Sequence, residues 1–342
     1  MASQLKSSNR IWSLAQDLGL RLSLRDDPVR EIVGYCERLI AAFLKKFPET
    51  HTLSELAEVA AASLGTRFEV IRSEADLQRV KQTYVARGER IFASLERELP
   101  DQVFGLTVRL VNREEWEPKY VSVIDCRGEK AAREFFTKWH EISHLLILTD
   151  QLRLSFQRTH VHSGAEQDPE ERLVDVLAGR FGFYEPLIRP LASGRLSFEF
   201  AEGLRLRLCP EASREASFNG FVAAWPSPCI LVRAELALKR SEERERAQGA
   251  FSFQNLPVPV LRAVRVGNND AARQKGMLIP PRMRVPEISI INRLFEDEDA
   301  SQQSDENLSW WKASDGTVLQ DCPIRVEARR IWEGVEALIQ PL

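Results

Sequence analysis

The chain has no apolar run of the roughly 18–20 residues that a bilayer-spanning helix needs, so no membrane partner is expected. Its first twenty residues, MASQLKSSNRIWSLAQDLGL, contain no continuous apolar block and do not read as a secretory signal. Cysteine is sparse: Cys36, Cys126, Cys209, Cys229 and Cys322 are scattered, odd in number and never in a C-x-x-C pair. That excludes a disulfide framework and a cysteine-built zinc site, and it points to reduced thiols and a cytoplasmic location. A dominant charge is missing too. Lys plus Arg is 47 against 50 Asp plus Glu, a net charge of −3, which gives no bulk electrostatic case for direct nucleic-acid binding. Only five histidines occur in 342 residues, so a spaced pair of them is informative.

What is present is ordinary globular composition, 44% hydrophobic and 28% charged, long enough for two or three domains. Residues 1–27 read as a leader. Asp27 followed by Pro28 marks a helix start, and Val29, Ile32, Cys36, Leu39, Ile40 and Phe43 recur at helical spacing. Thr52 with Glu55 forms a capping-box pattern before a second helix that Gly65 stops. A strand is expected at 68–71, a helix over the charged stretch 73–99, and strands at 103–111 and 120–124. Residues 198–225 read as two helical pieces broken near Pro210, and 239–248 as a solvated charge run. From 255 onward the texture is β-branched and Pro-punctuated, with a flexible loop expected at 296–307 and a strand beginning at Trp310-Trp311. The expected organisation is therefore α+β: a mostly helical first domain with a small sheet at 28–190, a helical segment at 191–250, and a small α+β domain at 251–342.

The chemistry concentrates in residues 134–150, EFFTKWHEISHLLILTD. On a helix His140 and His144, at i and i+4, share one face and can grip a single metal ion. Glu141 sits one residue after the first histidine, where a carboxylate can take a proton from a metal-bound water. Two imidazoles plus one carboxylate suit zinc, with a fourth position left open. Phe135, Phe136, Trp139, Ile142, Leu145 and Leu146 surround the pair, so the helix is expected to be buried.

The carboxylate is sought in EQDPEERLVDVLAGRFGFYEP, residues 166–186, where Pro169 supports a helix starting near Asp168. Glu171 and Asp175 share a face of that helix. Glu171 would bind the metal, and Asp175 would accept a hydrogen bond from the spare N–H of a ligand histidine. Glu170 and Glu166 are rivals for the ligand position. His160, His162 and Tyr184 are the nearest candidates in sequence for a donor to a transition-state oxyanion.

FFTKWHEISHLLIL resembles the F-T-x-A-H-E-x-x-H-x-L-L segment of the ImmA/IrrE metallo-endopeptidases, and ERLVDVLAGRFGFYEP is similar to their downstream helix. The resemblance matches His140 and His144 to the two histidine ligands, Glu141 to the catalytic base and Glu171 to the third ligand. Asp175 falls where the family often has Asn or Asp. Trp139, Ser143 and Val174 depart from the usual residues without removing a ligand. The resemblance is specific over about 120–190 and implies a zincin-like core. It also implies zinc-dependent cleavage of a protein substrate, a helix-turn-helix DNA-binding repressor, in a stress or mobile-element response. A small sensory domain closes some relatives, and 251–342 is a candidate for one, with a structural cap as the alternative. The competing reading of the whole chain is a non-catalytic, metal-binding regulator that acts through partner binding by its C-terminal region.

Overall fold

The computed structural model describes residues 8–148, 155–159, 168–247, 257–297, 301–313 and 315–342. The chain divides into two compact units, one of residues 1–187 with 204–216, the other of 188–203 with 217–342. Both mix helices with a small sheet, so the protein is α+β. Among the described residues no helix is long and apolar enough to cross a membrane.

In the first unit, α1 (Asn9–Asp17) precedes α2 (Pro28–Lys46), whose Asp27 side chain accepts from the Val29 N–H and whose first residue is proline. Ile32, Cys36 and Ile40 form its fully buried stripe. The capping box of Thr52 and Glu55 starts α3 (Leu53–Ser63). Gly65, at φ +73°, turns the chain into β1 (Thr66–Ile71). A second capping box, Ser73 with Asp76, starts α4 (Glu74–Ala86). The helix expected to run to residue 99 ends here. Gly88 at φ +86° reverses the chain, and only a 3₁₀ turn (Arg90–Ser94) and one α-turn (Leu95–Glu98) follow. This fold-back stacks Phe92 on Tyr84, with ring centroids 4.3 Å apart, an aromatic gain that a straight helix would forgo.

Next come β2 (Val103–Arg109), β3 (Tyr120–Asp125), α5 (Glu134–Leu146), β4 (Ser155–Thr159) and α6 (Pro169–Gly182). The strand order is β1-β3-β2-β4, with β1 parallel to β3 and β2 antiparallel to both its neighbours. Successive side chains alternate faces. Leu106, Val108, Val121 and Val123 join Leu77, Val80, Tyr84 and Phe92 in one apolar core. Gly105 and Thr107 point the other way, toward α5. Residues 204–216 are held to α3 where Ser54 Oγ donates to Glu211 Oε1 (2.6 Å) and to the Leu208 carbonyl (3.3 Å).

The second unit contains the start of α7 (Phe198–Leu208), whose residues from Leu204 on belong to the first unit, and α8 (Arg214–Ala224) from Ser217 on. These match the two expected pieces broken near Pro210. They are followed by β5 (Ile230–Ala237), α9 (Arg240–Ala247), β6 (Val260–Asn268), α10 (Ile290–Glu296), β7 (Ser301–Asn307), β8 (Pro323–Ile331) and β9 (Gly334–Pro341). The sheet is antiparallel throughout, in the order β6-β5-β9-β8-β7. Its core joins Ile230, Val232, Ile324, Val326 and Ile339 to Ile290, Leu294 and Trp311.

Three expectations change in this unit. The segment 191–250 is shared between the units and carries β5, so it is not a helical module of its own. Residues 301–307, read as loop because they are acidic and polar, form β7 and pair with β8 along their whole length. A polar sequence suits a sheet edge, and Glu306 turns inward, its Oε1 accepting from the Ile290 N–H (2.7 Å) at the start of α10. Trp310 closes a 3₁₀ turn (Leu308–Trp310) and does not begin a strand. Beyond it, Lys312 and Val318 form a single bridge.

Candidate metal centre

Helix α5 is buried along almost its full length, including His140, Glu141 and His144 at 1%, 0% and 2% exposure. Its entry is fixed at the end of β3. There the Asp125 carboxylate accepts from Arg127 Nε (2.8 Å) and Lys130 Nζ (2.7 Å), and Lys130 also donates to the carbonyls of Pro100 and Val103. Helix α6 can lie close against α5 because Gly182 has no side chain. A Cβ there would sit 3.2 Å from Trp139 Cδ1 and 3.3 Å from Phe135 Cε1.

This packing brings three donors together. The Nε2 atoms of His140 and His144 are 3.1 Å apart, and Glu171 Oε2 lies 3.3 Å from the first while Glu171 Oε1 lies 3.5 Å from the second. All fall within 4.8 Å of one another. Ligands held at about 2.0–2.1 Å in a tetrahedral zinc site are separated by about 3.3–3.4 Å, and the three observed spacings bracket that value. The donor set, two imidazole nitrogens and a carboxylate, is also the one zinc takes when a fourth position stays open.

Asp175 is where the helical spacing placed it. Its Oδ1 lies 3.1 Å from His140 Nδ1, so it accepts the Nδ1 proton and leaves the Nε2 lone pair facing the cluster. Burial opposes ionisation of the Glu171 carboxyl, but the two imidazoles beside it outweigh this and hold it below the usual carboxylate range.

The rival Glu170 faces elsewhere. Its Oε2 accepts from Arg10 Nε (3.0 Å), and the same arginine reaches the helix cap at Asp168 (2.6 Å). Glu166, His160 and His162 lie outside the described residues. Tyr184 is buried, and its ring packs 6.2 Å from that of Phe181. Burial raises its pKa, and the charges acting on it are Glu37, Arg180 and Glu185, not the histidine cluster.

The sequence reading missed how Glu141 is held. Thr107 Oγ1 donates to Glu141 Oε2 at 2.7 Å, Ser122 Oγ lies 2.7 Å from Thr107 Oγ1, and Thr66 Oγ1 lies 3.0 Å from Ser122 Oγ. Three hydroxyls, from β2, β3 and β1, thus run across the sheet to one carboxylate. Gly105 lets the strand approach, since a Cβ there would be 2.8 Å from Glu141 Oε1. The signal was present as small and polar residues at inward positions of otherwise apolar strands, Gly105, Thr107 and Ser122, but its meaning depends on which face meets α5.

No protein-family model matches the chain, and no curated protein sequence matches it.

Proposed function

We propose that the first unit is a zinc-dependent endopeptidase of restricted protein specificity, with a zincin-like core. The observation that carries this reading is the convergence of His140 Nε2, His144 Nε2 and Glu171 on one point, with Asp175 fixing the His140 tautomer. His140, His144 and Glu171 would hold the zinc. When bound, it supplies a Lewis acid for the scissile carbonyl and lowers the pKa of a water. Glu141 takes the proton from the attacking water on its carboxylate and passes it to the departing amine. Thr107 keeps that carboxylate in one orientation, and the buried walls of α5 exclude bulk water. The resemblance to the ImmA/IrrE peptidases adds the substrate class, a helix-turn-helix DNA-binding repressor, and a role in switching on transcription under stress. The five cysteines are buried thiols, none in a disulfide, and burial pushes Cys36 and Cys126 up to about 12. Inert thiols of this kind fit a cytoplasmic protein.

The test joins metal content to cleavage. The purified protein is expected to retain about one zinc per chain after zinc addition and desalting. Glu141→Gln is expected to keep the zinc and the fold and to abolish cleavage of a candidate repressor. A protein that takes up no zinc refutes the metal site. A Glu141→Gln variant with full biological activity refutes the peptidase and makes the chain a metal-binding regulator.

A further inference from the structure

The second unit holds a cleft of about 1150 Å³ between β6, the start of α9 and the 280–288 segment. Arg262, at 7% exposure, lines it. Its Nε donates to the Ala237 carbonyl and its Nη1 to the Arg282 carbonyl, both at 3.2 Å. These neutral acceptors orient the guanidinium but do not balance its charge. Among the described residues no carboxylate lies within 4.0 Å of it, and isolating a charge in this way is costly. The neighbouring cations deepen the imbalance. Lys239, Arg240, Arg284 and Lys312 line the same cleft, against Glu242 and Glu287. Among the described residues, Arg284 alone of these has a carboxylate partner, Glu287 at 2.6 Å.

The turn that supplies the Arg282 carbonyl is itself unusual. Arg282 has φ +72° and is the one non-glycine residue with a positive φ among those described. Its own side chain is drawn off to Glu243 at 2.8 Å, leaving its backbone to face Arg262. Burial holds the Arg262 pKa below the usual arginine range. Glu242 raises it, while Arg284 and Arg282 lower it further. The remaining wall is apolar and includes Met283, Val285 and the half-buried Trp310, with Val258 and Ile288 exposed on the rim.

We propose that this cleft binds a small organic oxyanion, a carboxylate or phosphate carried on an apolar or aromatic body, with Arg262 and Arg284 meeting the anion and Trp310 and Met283 meeting the body. A guanidinium matches either oxyanion through paired N–H donors. A concave site with a few convergent polar groups on an apolar wall suits a small molecule better than a polymer. This site is independent of the metal centre and stands or falls separately from it.

The test is calorimetric titration of the full chain with phenyl phosphate, phenylacetate, inorganic phosphate and benzyl alcohol. At least one of the first two is expected to bind saturably with a Kd below about 1 mM. Which one binds identifies the anion. Inorganic phosphate should bind at least about tenfold more weakly and benzyl alcohol not at all, since each lacks one half of the recognition. Arg262→Met and Arg284→Gln should each weaken binding at least about tenfold. Arg284→Gln changes a half-exposed side chain and keeps the test valid if Arg262→Met does not fold. Arg325→Gln, which removes an arginine paired with Asp305 outside the cleft, should change nothing. The proposal is overturned if neither aromatic anion binds up to about 10 mM. It is also overturned if Arg325→Gln costs as much as Arg284→Gln, or if a single-stranded oligonucleotide competes for the site with higher affinity than either anion.

Discussion

Thr107 Oγ1 donates to Glu141 Oε2 across 2.7 Å, joining the sheet to the helix that carries the candidate metal ligands. Both side chains are fully buried, so the bond is not replaceable by solvent. Thr107→Val keeps the shape and removes the donor. Stability should fall by about 1–3 kcal/mol in urea unfolding, because a buried carboxylate loses a partner. Zinc content should be unchanged while cleavage falls by roughly tenfold or more. Loss of zinc in this variant would place Thr107 in metal binding instead.

Asp175→Ala should weaken zinc affinity by roughly ten- to a hundredfold, measured by competition with a chromophoric chelator. The ligands themselves remain. What is lost is the acceptor that fixes the Nδ1 proton of His140. Unchanged affinity would remove Asp175 from the site.

Adjacent glutamates on α6 should behave oppositely. Glu171→Ala should lose bound zinc, because it removes the one carboxylate of the cluster among the described residues. Glu170→Ala should keep it. That change breaks only a part-exposed pair with Arg10, worth at most about 1 kcal/mol. The reverse result would shift the ligand register by one residue.

Gly105→Ala tests the close approach of β2 to α5. The added Cβ would lie 2.8 Å from both Glu141 Oε1 and Thr137 Cγ2. Relief of that contact should cost about 1–3 kcal/mol of stability and displace Glu141. Cleavage should therefore fall even at temperatures where the variant remains folded. Wild-type stability and activity would show that the strand and helix can separate freely.

Asp125 should contribute stability that depends on acid. Burial pushes its carboxyl up, but hydrogen bonds from Arg127 and Lys130 outweigh this and hold it below the usual range. Its folded pKa is thus below the unfolded value of about 3.9. The stabilisation is complete above that value and is lost as pH falls through the folded pKa. Asp125→Asn should be destabilised by about 1.5–3 kcal/mol near pH 7. The difference from wild type should shrink below about pH 4. A difference that stays constant from pH 7 to about 3 would exclude the charge as its source.

The parts of the site that share a helix were legible from sequence, because helical periodicity fixes geometry. The i, i+4 spacing of His140 and His144, and of Glu171 and Asp175, determined which groups could meet. Glu171 shares its helix face with Asp175, while Glu170, turned about 100° away on the same helix, meets Arg10 of α1 instead. The hydroxyl row behind Glu141 was not legible, as it draws one residue from each of three strands whose register no local pattern states. Helix caps at Asp27 and Thr52 are local chemistry and marked the starts of α2 and α3 well, whereas the Ser73 cap of α4 emerged only with the structure. Strand β7 was hidden because its polarity reflects an edge position, a property of the assembled sheet and not of the segment.

The chain passes between the two units three times, after residues 187, 203 and 216. Neither unit is therefore a contiguous stretch of sequence that one cut could release. A fragment ending at 190 would lack residues 204–216, and with them the Leu208 carbonyl and Glu211 carboxylate that Ser54 uses to anchor α3. Deletions or domain exchanges that respect sequence order alone would damage both halves at once.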